Sequence, residues 1–279
     1  MNWEVQTMPS KTSFCNGTEF RKCLSRWWPL WVIYSVILFI LLPGVLLNAR
    51  TTTPYMTTPY VSTEQILSNV ILSETQMLLP LTAFCAGLLA AAAMFGYLYT
   101  PRGAGLAASL PIRRGCMFRT HLLAGLVMLL SAEAVIFGLA VLIEATRFGL
   151  VIEPLLIWLG ILALETVVFY GIAVLCAMFT GHVVMLPCLY LLVNFIAVGF
   201  QLLVEAVLYM FVYGMSGMVD LPVDWLSPLV LFMRRTSVGH ADLVRPISGT
   251  GAEVAIANFS GWIYPLVWAA FALLLLVCA

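Results

Sequence analysis

The sequence predicts an all-α polytopic membrane protein of about six transmembrane helices, preceded by an N-terminal interfacial amphipathic helix. Three observations carry that reading. The chain is 62% hydrophobic and only 9% charged, with a mean hydropathy of +1.03, well beyond an ordinary soluble domain. Several apolar runs reach the roughly 20 residues that a helix rising about 1.5 Å per residue needs to cross a hydrocarbon core of about 30 Å. Finally, Lys and Arg gather in short connections between those runs, as they do on the inner face of multi-span proteins. The 13 basic and 13 acidic residues cancel, so charge informs through its division between membrane faces and offers no basic face for nucleic acid.

Residues 1–26 read as a cytoplasmic tail ending in the interfacial helix. Within Glu19-Phe-Arg-Lys-Cys-Leu-Ser-Arg26, the apolar Phe20, Cys23 and Leu24 fall at i, i+3 and i+4, while Arg21, Lys22 and Arg26 interrupt them. Trp27, Trp28 and Trp31 follow at once. Indole rings favour the headgroup zone, and Pro29 suits a first helical turn, where its missing N–H has no partner anyway. Residues 27–279 then form the transmembrane domain, with spans expected near 27–47, 77–99, 121–143, 155–179, 183–213 and 261–279. The first strongly apolar run starts late and is long enough to span, so it is expected to stay in the mature protein.

Between the first two spans, Thr51-Thr-Thr-Pro-Tyr-Met-Thr-Thr-Pro-Tyr60 repeats a unit whose prolines break helices. An amphipathic surface helix over residues 61–72 is expected to follow, with Ser62 or Thr63 available as its cap. The second span carries Ala83, Gly87 and Ala91 four residues apart, a face that lets two membrane helices approach closely. Spacing leaves open whether its partner lies in the same chain. Thr180-Gly181-His182 predicts a tight turn between the fourth and fifth spans. The fifth run exceeds what the hydrocarbon requires, so it is expected to tilt, protrude or bend near Pro187 or Gly199. Asp220–Met233 is apolar but too short and proline-broken to cross, which suits a re-entrant or interfacial helix.

Orientation follows from the cations. Lys11, Arg21, Lys22, Arg26, Arg102, Arg113, Arg114 and Arg119 fall on one face, against Arg50, Arg147, Arg234, Arg235 and Arg245 on the other. Both termini are therefore expected in the cytoplasm, in a multi-pass bacterial plasma-membrane protein. Cys85, Cys176, Cys188 and Cys278 fall in spans, and Cys15, Cys23 and Cys116 on the inner face, so free thiols and no metal site are expected.

Three spans contain acids. Glu133, Glu165 and Glu205 interrupt the third, fourth and fifth, where a charge at mid-bilayer costs about 2.5–3.5 kcal/mol even on a lenient insertion scale. On the fifth, Asn194, Gln201 and Glu205 fall within roughly 40° of one another at 100° per residue, flanked by Tyr190 and Tyr209. That stripe either lines a translocation path or fixes packing through interhelical hydrogen bonds. For Glu133 and Glu165, single acids expected near a helix end, snorkelling or a local partner is sufficient.

No Gly-x-x-x-x-Gly-Lys-Ser/Thr phosphate loop occurs, so any ATP is handled by another chain. Against that absence, Tyr99-Thr-Pro-Arg102, Ser109-Leu-Pro-Ile-Arg-Arg114 and Phe118, leading into His121-Leu-Leu-Ala-Gly125, resemble the cytoplasmic loop between the second and third spans of type-2 ABC exporter permeases. The prelude Phe20-Arg-Lys-Cys-Leu-Ser-Arg-Trp-Trp-Pro-Leu-Trp31 extends the resemblance over roughly the first 130 residues. It implies a non-catalytic permease subunit that dimerises with a second permease chain, alike or different, and binds a separate ATPase subunit holding ATP and magnesium. No cofactor is then bound by this chain itself. Arg102, Leu110, Pro111, Ile112, Arg113 and Arg114 become the ATPase-coupling residues, joined by Phe20, Arg21, Lys22 and Arg26 of the interfacial helix. Asn194, Gln201 and Glu205 become the candidate path, and an amphiphile such as an antimicrobial peptide, drug or lipid the substrate. A short apolar knob flanked by cations suits insertion into a groove with an acidic rim, although Arg113 and Arg114 would equally anchor a loop to anionic membrane lipid. The alternative is an ion-coupled secondary transporter or channel using the intramembrane carboxylates. That class calls for repeats or paired broken helices, and no convincing repeat is present.

Overall fold

A computed structural model describes residues 17–47, 78–109, 114–147, 152–211, 226–236, 244–246, 253–255 and 266–270. These residues form an all-α polytopic membrane protein in which five helical stretches are long and apolar enough to cross a membrane. The short antiparallel ribbon Val244–Pro246 with Glu253–Ala255 is the exception to the helical pattern. The expected sixth span is described only over 266–270, which is helical. The Thr-Thr-Pro-Tyr loop and the surface helix at 61–72 lie outside the described residues.

Helix α1, Gly17–Arg26, is the interfacial element. Its Cys23 is buried and Phe20 and Leu24 are half-buried, while Arg21, Lys22 and Arg26 are exposed. The periodicity thus becomes a docked face, set against the bundle. Helix α2, Trp28–Phe39, starts with Pro29 in its first turn and widens into a π turn over Ile40–Gly44. Pro43 sits inside that turn. A proline lacks an N–H and collides with the carbonyl four residues back, and a π turn opens the ladder enough to absorb both defects.

Helix α3, Leu79–Phe95, tightens into a 3-10 turn at Gly96–Tyr99. Next comes a helix where the sequence suggested only a loop: α4, Pro101–Ser109. Proline at a first helical position and the alanines after it explain why it winds despite Gly103 and Gly105. Helix α5, Arg114–Arg147, extends beyond the expected third span at both ends. Helix α6, Ile152–Phe179, follows it. Residues 180–184 turn the chain into α7, Met185–Phe211, with Met185 N–H donating to the His182 carbonyl at 3.1 Å. The tight turn is therefore present, but the expected bend is not: α7 runs unbroken past both Pro187 and Gly199. Pro187 falls in the first turn, where its missing donor leaves no bond unmade. Helix α8, Pro228–Thr236, packs on α3 and α7, and its Phe232 ring lies 5.5 Å from that of Phe169 in α6. This segment thus packs into the bundle as a short helix.

Helix α6 is the axis of the bundle. It is 72% buried along its most apolar stretch, against 6% for α7, so α6 is central and α7 peripheral. Its most extensive contact is with α3, through the face formed by Ala83, Ala86, Gly87, Ala90 and Ala91. The small-residue face therefore meets a helix of its own chain. Gly87 rests directly on the α6 backbone: a β-carbon there would lie 2.9 Å from Tyr170 N and 3.1 Å from the Phe169 carbonyl carbon. Tyr170 in turn reaches α5, donating to the Leu122 carbonyl at 3.1 Å.

Candidate functional site

Two polar regions stand out, one at an end of the bundle and one at its middle. At the end, α1, the last turns of α3, α4 and the start of α5 surround an open cleft of about 620 Å³. Cys23 Sγ lies 3.3 Å from His121 Nδ1, and the Tyr97 ring sits 4.8 Å from the imidazole. Lys22 donates to Glu19 at 2.8 Å, and that hydrogen bond holds its ammonium above the usual lysine value. The Arg26 guanidinium lies 5.7 Å from the Trp27 ring centre, within cation–π range. Trp31 donates from its indole nitrogen to Ser131 Oγ at 3.0 Å, whereas Trp28 is 62% exposed. The tryptophans thus divide their work, some tying α1 and α2 to the bundle and one left facing outward.

Of the residues expected to couple to an ATPase, Arg102 at the start of α4 and Arg114 at the start of α5 are exposed, as are Arg21, Lys22 and Arg26. Phe20 faces the bundle instead. Leu110, Pro111, Ile112 and Arg113 lie outside the described residues. Cys23, Cys85, Cys116, Cys176 and Cys188 are free thiols, and Cys15 and Cys278 lie outside the described residues. Burial, with a smaller contribution from Glu19, pushes the Cys23 thiol above its ordinary range. Maleimide labelling of Cys23 should consequently keep accelerating with pH beyond the range of an ordinary cysteine, because the thiolate is the nucleophile. Phe20→Asp should undock α1 and raise the rate at neutral pH several-fold. Labelling of wild-type Cys23 as fast as a free cysteine would show that α1 does not dock.

The second region corrects the placing of Glu133 and Glu165 near helix ends, while the expected local partner is present for Glu133. Each lies mid-helix and not near an end: by helical rise Glu133 is about 28 Å from Arg114 and about 21 Å from Arg147, and Glu165 about 20 Å from either end of α6. Both are fully buried, so neither snorkels. Glu133 Oε1 accepts from Thr166 Oγ1 at 2.6 Å and from Tyr34 OH at 3.0 Å. Helices α2, α5 and α6 thereby converge on one carboxyl oxygen. Glu133 Oε2 and both oxygens of Glu165 meet no donor among the described residues.

The α7 stripe divides. Asn194 is buried and donates to the Tyr190 carbonyl at 2.8 Å, while Tyr190 donates to the Phe84 carbonyl of α3 at 3.1 Å and stacks on Phe84 with ring centres 4.5 Å apart. Gln201 Nε2 donates to Glu205 Oε1 at 2.9 Å, both half-buried, and Tyr209 is 75% exposed. The upper part of the stripe thus packs α7 on α3, and the lower part pairs within its own helix. Tyr34 and Thr166 went unrecognised in the sequence because each is an ordinary residue of an apolar helix. Among the described residues no cluster of three or more His, Cys, Asp or Glu side chains is arranged to hold a metal ion. No protein-family profile matches this chain, and no curated protein sequence does either.

Proposed function

We propose that this chain is the membrane permease subunit of an ATP-driven ABC exporter, moving an amphiphile while a separate subunit hydrolyses ATP with magnesium. The observation that carries the proposal is the end of the bundle described above. Two short helices, α1 and α4, flank one open cleft there, lined by Lys22 and Arg26, and Arg21, Arg102, Arg114 and Arg119 are exposed on α1, α4 and the start of α5. A cleft bounded by short helices, with cations on its wall, is suited to gripping an acidic-rimmed partner, and the concentration of cations on these elements favours this end as cytoplasmic. Helix α4 ends at Ser109 and α5 begins at Arg114, four residues of sequence between them, so force on α4 would reach α5 directly. A second permease chain, identical or different, would cover part of the α7 face, which is largely unburied within this chain. The setting would be a bacterial plasma membrane.

The test is affinity purification of the tagged full chain from its native membrane, followed by reconstitution. An ATP-binding subunit is expected to co-purify and to drive transport. The double substitution Arg113→Glu and Arg114→Glu is expected to lower transport-coupled ATP hydrolysis about tenfold, equivalent to a loss of about 1.4 kcal/mol, with helical content unchanged. Transport driven by a proton or sodium gradient without ATP would overturn the proposal. That outcome would favour a secondary transporter, the reading to which the buried Glu133 and Glu165 lend support.

A further inference from the structure

We propose that Glu165 and Glu133 form a proton-binding site in the middle of the bundle, occupied in this conformation by one proton on Glu165 and covered by Tyr34 of α2. The inference holds whichever energy source drives transport. It starts from an asymmetry between two of the three fully buried acids among the described residues, Glu133 and Glu165. Glu133 has a built hydrogen-bonding site, with Tyr34 and Thr166 both donating to Oε1. Glu165, on the adjoining helix, is close enough to act electrostatically on both Glu133 and Tyr34, yet neither of its oxygens meets a donor among the described residues.

An ionised carboxylate without donors or a counter-charge is not sustained in an apolar interior; it neutralises instead. The charged and titratable groups that act on this pair are one another and Tyr34 of α2. Helices α3 and α7, also packed against α6, send no such group to it. Neutralisation must therefore come from a bound cation. Calcium takes 6–8 oxygen ligands and magnesium demands a near-octahedral set, whereas only Glu133 Oε2 and the two Glu165 oxygens remain uncommitted here. A proton needs a single oxygen. Glu165 is the carboxyl that carries it, since Glu133 already has two hydroxyl donors on Oε1 while Glu165 has none among the described residues.

The cover is also placed to move. Tyr34 stands on α2, whose only irregular turn, Ile40–Gly44, follows within two turns of helix, and π turns of this kind recur at functional sites. Swinging α2 away from α5 would withdraw the Tyr34 hydroxyl from Glu133 Oε1 and from Thr166, and so change the polar surroundings of the Glu165 proton. The site thus links the protonation of α6 to the position of the first span.

Infrared spectroscopy of the full chain in lipid nanodiscs at neutral pH tests this. A protonated-carboxyl C=O stretch is expected in the wild type, lost in Glu165→Gln and kept in Glu133→Gln. Absence of the band, or its persistence unchanged in Glu165→Gln, overturns the proposal. So does thermal stability that rises with added sodium or calcium in the wild type but not in Glu165→Gln, which would make the occupant a metal ion. Where Glu165→Gln does not fold, dicyclohexylcarbodiimide, a lipid-soluble reagent for protonated carboxyls, decides on the wild-type chain. An adduct mapped to Glu165 supports the site, and an adduct on Glu133 alone refutes it. None of these measurements involves ATP or a second subunit, so they stand or fall separately from the exporter reading.

Discussion

Gly87→Leu is expected to prevent assembly of the bundle, and Gly87→Ala to destabilise it by about 1–3 kcal/mol, the usual range for overfilling a packed core. The reason lies in what a side chain would meet. A β-carbon at Gly87 would stand 2.9 Å from Tyr170 N, 3.1 Å from the Phe169 carbonyl carbon and 3.3 Å from Tyr170 Cα. All three are backbone atoms of α6, which cannot rotate aside as a side-chain end can. Moving α6 away would also disturb α5, because the Tyr170 ring fills the notch left by Gly125 and its hydroxyl donates to Leu122. Gly160→Ala on α6 is the control, since a β-carbon there meets nothing within 4 Å. It should be neutral or stabilising by up to about 1 kcal/mol, through helix propensity alone. Unfolding in mixed micelles, followed by circular dichroism, measures both. Equal stabilities for Gly87→Ala and Gly160→Ala would show that α3 and α6 do not cross at this point.

The contrast between those glycines explains what could be read in advance. Ala83, Gly87 and Ala91 repeat every four residues, and periodicity of that kind belongs to one helix, so the sequence displays it directly. The identity of the opposing helix depends on Phe169 and Tyr170, more than 80 residues away, and no local pattern encodes it. Helix α1 was legible for the same reason, because Phe20, Cys23 and Leu24 sit within one turn of each other. Its anchor, the contact of Cys23 with His121, was not. Helix α4 is hard to read in advance because Gly103 and Gly105 lower helix propensity, although a proline followed by alanines is itself a helix start. The stripe on α7 shows the reverse failure. Its angular alignment was sound, but alignment does not say how far a neighbour extends, and α3 covers Tyr190 and Asn194 while Gln201 and Glu205 remain half-buried. The acids of α5 and α6 drew attention as charges in lipid, whereas the partners that define their chemistry, Tyr34 and Thr166, become visible only when α2, α5 and α6 are brought together.

Glu133→Leu is the second substitution with a large expected effect, about 2–4 kcal/mol, and its companions separate the causes. Leucine fills the volume but removes the acceptor shared by Tyr34 and Thr166. Thr166 has a remedy, since a threonine hydroxyl in a helix can turn back to a carbonyl three or four residues earlier. Tyr34 has none as good: its other contact is the Thr166 hydroxyl at 3.5 Å. A buried hydroxyl left without a partner loses about 1–3 kcal/mol, so most of the effect should arise on α2, far from the mutated helix in sequence. Adding Tyr34→Phe to Glu133→Leu should therefore recover about 1 kcal/mol or more, because removing both partners of a buried hydrogen bond is less harmful than removing one. Glu133→Gln, which keeps an acceptor oxygen, should stay within about 1 kcal/mol of the wild type. A double variant no more stable than Glu133→Leu would show that Tyr34 does not depend on this carboxyl. If the coupling is present, α2, α5 and α6 share this polar contact within a largely apolar bundle. Any motion of α2 must then either break that contact or carry α5 and α6 with it.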